Sequence, residues 1–270
     1  MTNLPDSGML DLGDQQLEYR FVGPRPGRAP TLVLLHEGLG CVGLWGDFPA
    51  RLAEATNTGV FAYSRAGYGQ SSPVALPRPL TYMQTEAQDV LPRVLNAIGF
   101  RRGLMIGHSD GASIAAIYAG SVNDTRLLGI TLIAPHFFTE DMGIAEIAKA
   151  KLAYDDPKTG LRERLARWHK DVDNAFRGWN DAWLDPAFRQ WDISGFLPAI
   201  RTRVQVVQGV DDQYGTDKQV KMAQQRAGST VEVVMLQAVK HSPHREAPDR
   251  LVAAIAQFAA RVLPEQPPAE

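Results

Sequence analysis

"LMIGHSDGAS", residues 104–113, decides how this chain is read. Apolar Leu104, Met105 and Ile106 run into Gly107, and Ser109 then stands between Gly107 and Gly111 with Asp110 directly behind it. Where a strand turns at once into a helix that packs back on its own sheet, side chains two positions either side of the apex would collide. Glycine belongs at both places. The apex residue is held in a strained conformation, its side chain presented at the carboxyl end of the strand. The G-x-S-x-G spacing of 107–111 therefore predicts strand, sharp turn and helix, with the Ser109 hydroxyl exposed as a nucleophile.

The flanking pattern agrees. Residues 17–23 alternate as a strand, and the apolar runs 31–36, 60–64, 103–107, 129–135, 203–209 and 231–237 read as buried parallel strands. Helix-like segments fall between them at 44–56, 82–99, 111–122, 216–228 and 248–263. Pro248 suits a first helical turn, and Gly99 and Gly228 suit helix ends. This alternation implies an α/β fold with a mostly parallel central sheet and helices on both faces. From 139 to 198 the rhythm breaks. No strand pattern appears, four tryptophans (Trp168, Trp179, Trp183, Trp191) occur, and the connection is far longer than a βα unit needs. We expect residues 139–198 to be an inserted all-helical cap on a core formed by 1–138 and 199–270, with the Pro-rich, acidic end (260–270) disordered.

Composition narrows the partners. A net charge of −2 with no basic stripe argues against nucleic acid or an anionic membrane. Cys41 is the one cysteine, a small apolar residue by default, so neither an internal disulfide nor a cysteine-built metal cluster is expected. The first residues lack the basic and apolar stretches of a signal peptide, and no apolar run reaches the roughly 18 residues of a membrane helix. These features imply a cytoplasmic protein that takes a small-molecule substrate. A homo-oligomer is compatible with them.

A serine hydroxyl needs a base to accept its proton, and the base needs an orienting acid. In a parallel sheet both come from loops at the carboxyl ends of later strands, in the order Ser, Asp, His. Asp211 and Asp212 follow the strand 203–209, and His241 and His244 follow the last strand. The order is satisfied, with two candidates for each role.

Along most of its length the chain resembles the α/β-hydrolases. "LLHEGLG" (34–40) resembles their His-Gly oxyanion loop, "YSRAGYGQSS" (63–72) their R-G-x-G-x-S segment and "GHSDG" (107–111) their elbow. "QGVDD" (208–212) resembles the acid segment G-x-x-D, and "HSPHREAP" (241–248) the histidine loop H-x-x-x-x-E-x-P. The resemblance implies Ser109, Asp212 and His241 as the catalytic triad, leaving His244 as a surface or supporting histidine. It implies an oxyanion hole made by the backbone N–H groups of Asp110 and Gly38, with Leu39 as the alternative to Gly38. Glu37 departs from the family, which has glycine there.

Two carboxylates, Asp110 and Glu37, thus flank a place where negative charge develops, and neither can point into it unpaired. We expect Arg65, at the end of the neighbouring strand, to hold them in an Asp110–Glu37–Arg65 cluster that props the loop, the alternative being direct contact with a polar or cationic group of the substrate. His36 reads as loop scaffold and His108 as packing under the elbow, while His136 could face the pocket. Trp179 and Trp183 share a helix face as cap core or substrate wall. The resulting expectation is a serine hydrolase of small-to-medium carboxylic esters or thioesters, without metal or organic cofactor. The rivals are C–C bond hydrolysis of a ring-cleavage product or enol-lactone hydrolysis, cofactor-free oxygen chemistry on the His–Asp pair, and a non-catalytic ligand-binding protein on the same fold.

Overall fold

Strand β3 (Thr31–Leu35) lies between β4 (Gly59–Tyr63) and β5 (Gly103–His108), parallel to both. Its side chains divide by pleat: Val33 and Leu35 enter one core and Leu32 and Leu34 the other. Met105 and its neighbours Leu104 and Ile106 on β5 divide in the same way. Continuous apolar runs in these strands are therefore what a sheet covered on both faces requires. The computed structural model describes residues 4–263.

Around this centre the sheet has eight strands in the order β1-β2-β4-β3-β5-β6-β7-β8. β1 (Ser7–Asp11) and β2 (Gln16–Val22) are antiparallel at one edge, while β6 (Leu127–Ile133), β7 (Arg203–Gly209) and β8 (Val231–Leu236) continue the parallel part. β1 has no counterpart in the sequence reading, because Leu10 is its one buried residue and edge exposure erases the pattern. β8 is likewise a half-exposed edge strand and not a buried one.

One face carries α1 (Phe48–Thr56) and, at the end of the chain, the last helix, residues 248–262. Leu251, Ile255 and Phe258 line one stripe of that last helix and are fully buried, each contributing about 2 kcal/mol of transfer free energy. The other face carries α2 (Tyr82–Thr85), α3 (Leu91–Ala97) and α4 (Asp110–Ser121), with a single π-turn at 86–90 joining α2 to α3. The chain leaves β3 for β4 on one side and returns across β3 to β5. The strand order therefore reverses between β3 and β5, which leaves a crevice at their carboxyl ends.

Between β6 and β7 the described chain adds no strand to the sheet. It forms α5 (Asp141–Asp155), α6 (Leu161–Ala166) and α7 (Val172–Leu184), with short 3-10 turns. The two ends of this segment meet in a bridge between Phe138 and Asp192, so it leaves and re-enters the sheet layer at one point. Trp183, Phe188 and Trp191 pack together inside it, whereas Trp168 is largely exposed. α8 (Asp217–Arg226), α9 (Pro243–Glu246) and α10 (Pro248–Val262) complete the chain. Of the tail expected to be disordered, 260–262 continue α10, and 264–270 lie outside the described residues.

The two glycines of the elbow are required sterically. A Cβ on Gly107 would lie 2.2 Å from the Gly111 carbonyl oxygen, and one on Gly111 would lie 2.0 Å from that of Leu35. Both obstacles are backbone and cannot swing aside. Gly107→Ala is expected to destabilise the fold by about 3 kcal/mol or more, read as a lower denaturant midpoint at unchanged m-value.

Candidate active site

Ser109 occupies the turn between β5 and α4 at φ 54°, ψ −117°, a region that non-glycine residues rarely adopt. Such a conformation costs about 1–3 kcal/mol and persists because its surroundings fix it. Ser109 N donates to the Ile133 carbonyl at 2.9 Å, and its own carbonyl accepts from Ala112 N and Ser113 N. Ser113 Oγ in turn donates to the His136 carbonyl at 2.6 Å, tying the elbow to the chain leaving β6.

Beyond β7, Asp212 is buried and Asp211 exposed. The Asp212 carboxylate accepts from His241 Nδ1 at 2.9 and 2.8 Å, from Gln208 Nε2 at 2.8 Å and from Tyr214 N at 2.8 Å. A carboxylate only accepts, so the His241 proton sits on Nδ1 and a neutral ring keeps its lone pair on Nε2. Burial works to raise the Asp212 carboxyl, but the bond from His241 prevails and holds it below its usual range. Gly209 makes this approach feasible: a Cβ there would meet the Lys240 and Val239 carbonyls at 2.1 and 2.3 Å. Glu246 clamps the histidine from both sides, accepting from Lys240 N at 2.8 Å and Ser242 N at 2.9 Å.

The loop after β3 brings Gly38 opposite the elbow. Gly38 and Asp110 line one cavity with Ser109 and His241, and among the described residues neither backbone N–H has an internal acceptor. Trp179 packs so closely on Gly38 that a Cβ would lie 2.1 Å from the indole nitrogen. His36 accepts from Arg65 N at Nε2 (3.0 Å) and donates from Nδ1 to the Glu37 carbonyl (2.7 Å). Burial, then the Arg65 charge, pushes His36 well below its ordinary pKa, so it stays neutral in this scaffold. His169, on the segment between β6 and β7, donates from Nε2 to the Leu39 carbonyl and accepts at Nδ1 from Gly69 N.

The expected Asp110–Glu37–Arg65 cluster does not form. The Arg65 guanidinium is spent on the carbonyls of His36 and Glu37, the latter at 3.1 Å, so it holds loop backbone and no carboxylate. Asp110 Oδ2 accepts instead from Tyr82 OH at 2.5 Å, and Trp183 Nε1 donates to the same hydroxyl at 3.0 Å. Burial pushes the Asp110 carboxyl up against the opposing pull of Arg65 and Tyr82. Glu37 sits 3.4 Å from His108 Nδ1; burial would raise it, but His108 and His244 hold it well below the carboxylate range. His244 is not a surface residue: it is buried against Trp45, Phe48 and His108.

The cavity encloses about 310 Å³. α5 contributes Gly143 and Ile147 to its wall, and α7 contributes Trp179 and Trp183, which are at once buried in their own layer and exposed to the cavity. His136 faces it, its ring 5.5 Å from His241 and 5.4 Å from Trp183. Larger grooves, one of them beside Arg25 and Ile98, do not adjoin Ser109. Tyr82, His169, Tyr214 and Glu140 serve the site without any motif to announce them. Their roles depend on folding distant segments together.

The alpha/beta hydrolase family profile matches residues 32–254. A search of curated proteins finds no match. Among solved structures, the enol-lactonase from Burkholderia xenovorans is similar at 20% identity and a TM-score of 0.73, covering 94% of this chain and 100% of that one. An esterase from Rhodococcus is similar at 18% identity and 0.71, covering 96% and 100%. The proline iminopeptidase of Mycobacterium smegmatis gives 18% and 0.72, covering 94% and 98%. At these identities the likeness is one of fold. Among the described residues no helix is long and apolar enough to cross a membrane.

Burial, then the charges of His241 and His108, lowers His136 to about 3 from an ordinary 6.5, with Asp212 opposing. The unfolded chain therefore takes up a proton here that the folded one refuses. The stability this group contributes is complete above pH 6.5 and is lost as pH falls towards 3. His136→Gln should flatten the acid limb of the stability curve by up to about 1.4 kcal/mol per pH unit in that window. Urea melts at successive pH values check it, and an unchanged slope refutes it.

Proposed function

The chain belongs to the alpha/beta hydrolase family, and from that premise we propose that it is a serine hydrolase cleaving small-to-medium carboxylic esters or thioesters. One observation carries the proposal: a serine held at positive φ on the rim of a cavity that also exposes an imidazole bonded to a buried carboxylate. Ser109 attacks the substrate carbonyl carbon while its proton passes to His241 Nε2, and Asp212 stabilises the imidazolium that forms. The oxyanion of the tetrahedral intermediate accepts hydrogen bonds from the N–H groups of Gly38 and Asp110, each worth about 3 kcal/mol at the transition state. Collapse expels the alcohol or thiol, which takes the proton from His241 and leaves an acyl-Ser109. Water then repeats the sequence, giving its proton to His241, and the acid leaves with Ser109 restored.

Residues 139–198 act in this scheme as the cap: their helices form the wall opposite Ser109. A cavity of about 310 Å³ lies at the lower end of the roughly 300–1,000 Å³ of small-molecule sites, which suits a short acyl chain.

The test is hydrolysis of p-nitrophenyl esters from acetyl to octanoyl. Wild type should turn over the short members best, and Ser109→Ala should lose kcat by about a thousandfold or more with the fold intact. Equal activity of the two proteins rules the serine out as nucleophile. Gly38→Ala should lower kcat about tenfold or more and leave KM nearly unchanged, because its Cβ displaces an oxyanion donor against Trp179. A change in KM alone would mean that Gly38 shapes the pocket without serving the transition state.

A further inference from the structure

We propose that Glu37, His108 and His244 form a binding site for a divalent transition-metal ion, Zn²⁺ foremost, behind the oxyanion loop. One ligating atom from each of the three lies within 4.8 Å of the others. His108 is fully buried and His244 nearly so, and the Nδ1 atom of each is buried without a hydrogen-bond partner.

Hydrogen-bond logic sharpens the point at His108. Its Nε2 approaches the His241 carbonyl at 2.7 Å, and since a carbonyl only accepts, the ring proton sits on Nε2. Nδ1 of the neutral ring then directs a lone pair at Glu37 Oε2, 3.4 Å away. Unless a second proton charges the His108 ring, two acceptors face each other in a mostly dry place, beside the unpartnered nitrogen of His244. A proton on His108 Nδ1 would satisfy Glu37 and leave His244 orphaned. One divalent ion satisfies all three.

The chemistry of the donors fits. Two imidazoles and a carboxylate suit Zn²⁺, Co²⁺ or Ni²⁺ better than Ca²⁺ or Mg²⁺, which favour oxygen. Around a tetrahedral zinc the ligand atoms stand about 3.4 Å apart, so the Glu37–His108 pair is already at that spacing and His244 must close by on the order of an ångström. A metal-bound histidine characteristically donates its other N–H to a carbonyl or carboxylate, as His108 does to His241. Glu37 and His108 also line the cavity, which gives an ion its route in.

An ion here would fasten three segments to one another: the oxyanion loop through Glu37, the end of β5 through His108 and α9 through His244. It would also turn the negative charge of Glu37, adjacent to Gly38, into a net positive one facing the developing oxyanion. The three residues stand far apart in the sequence, where no metal was expected.

The experiment is a titration of the chelator-treated full chain with Zn²⁺ and, in parallel, Co²⁺. The expected result is saturable uptake of one equivalent, ligand-field bands of a low-coordinate Co²⁺ site and a rise in Tm. Glu37→Gln and His244→Phe should each weaken uptake roughly tenfold or more, while Glu163→Gln, on the exposed surface, should bind as wild type does. No saturable uptake by the folded wild type overturns the proposal. So does uptake unchanged in both variants, or a ¹⁵N spectrum of the Zn²⁺-treated protein with both His108 nitrogens protonated. The titration reads metal alone, so its failure leaves the serine-hydrolase reading standing, and the converse holds too.

Discussion

The carbonyl oxygens of Leu35 and Gly111 leave no space for a side chain at the elbow, and this close backbone approach organises everything around it. Because Gly111 sits against the end of β3, the first turn of α4 is pressed onto the central strand, and β5 can reach it only by turning through Ser109 at positive φ. The register Leu35↔Gly107 then sets the oxyanion loop and the elbow side by side at the reversal of strand order. Candidate nucleophile and candidate oxyanion donors thus share one origin in backbone packing, and no side-chain preference has to place them.

Carboxylates beside a site of developing negative charge are a problem that this chain meets twice and answers in opposite ways. Asp110 is fully buried, its carboxyl pushed up by desolvation and one of its oxygens bonded by the Tyr82 hydroxyl. Glu37 stays low because imidazoles stand next to it. Arg65, which might have neutralised either, is committed to two carbonyls of the loop. The guanidinium fork there fixes the path of the loop backbone by donating to two successive carbonyls.

The sequence carried the backbone logic well and the side-chain network poorly, for physical reasons. Gly107, Ser109 and Gly111 are neighbours in the chain, and their spacing is itself the steric requirement. Buried strands announce themselves because both faces need apolar residues. β1 escaped notice because an exposed edge strand needs neither. Arg65 has the charge and the strand-end place to hold Asp110 and Glu37, yet its guanidinium goes to the loop carbonyls. Tyr82 enters from α2, 27 residues upstream of Ser109, and His244 from α9, 135 residues downstream of it, and neither offers a local signal. Asp212 and Asp211 were separable only by a family pattern. The structure gives the physical content of that pattern: Gly209 lets the histidine loop press against the end of β7, and the third residue on from it is the one that faces His241.

The segment between β6 and β7 touches the site at unexpected places. Trp179 lies on Gly38, Trp183 bonds the Tyr82 hydroxyl that holds Asp110, and His169 donates to the carbonyl of Leu39. These contacts converge on the residues that carry the candidate oxyanion donors or adjoin them. A substrate bulky enough to displace α7 would therefore loosen the donors as it entered, and one that fits beneath the two indoles would leave them aligned. Selection of size and stabilisation of charge are then one property of the same packing. The helical segment thus reaches the proposed chemistry through the loop after β3, and the proposed acid, base and nucleophile all lie outside it.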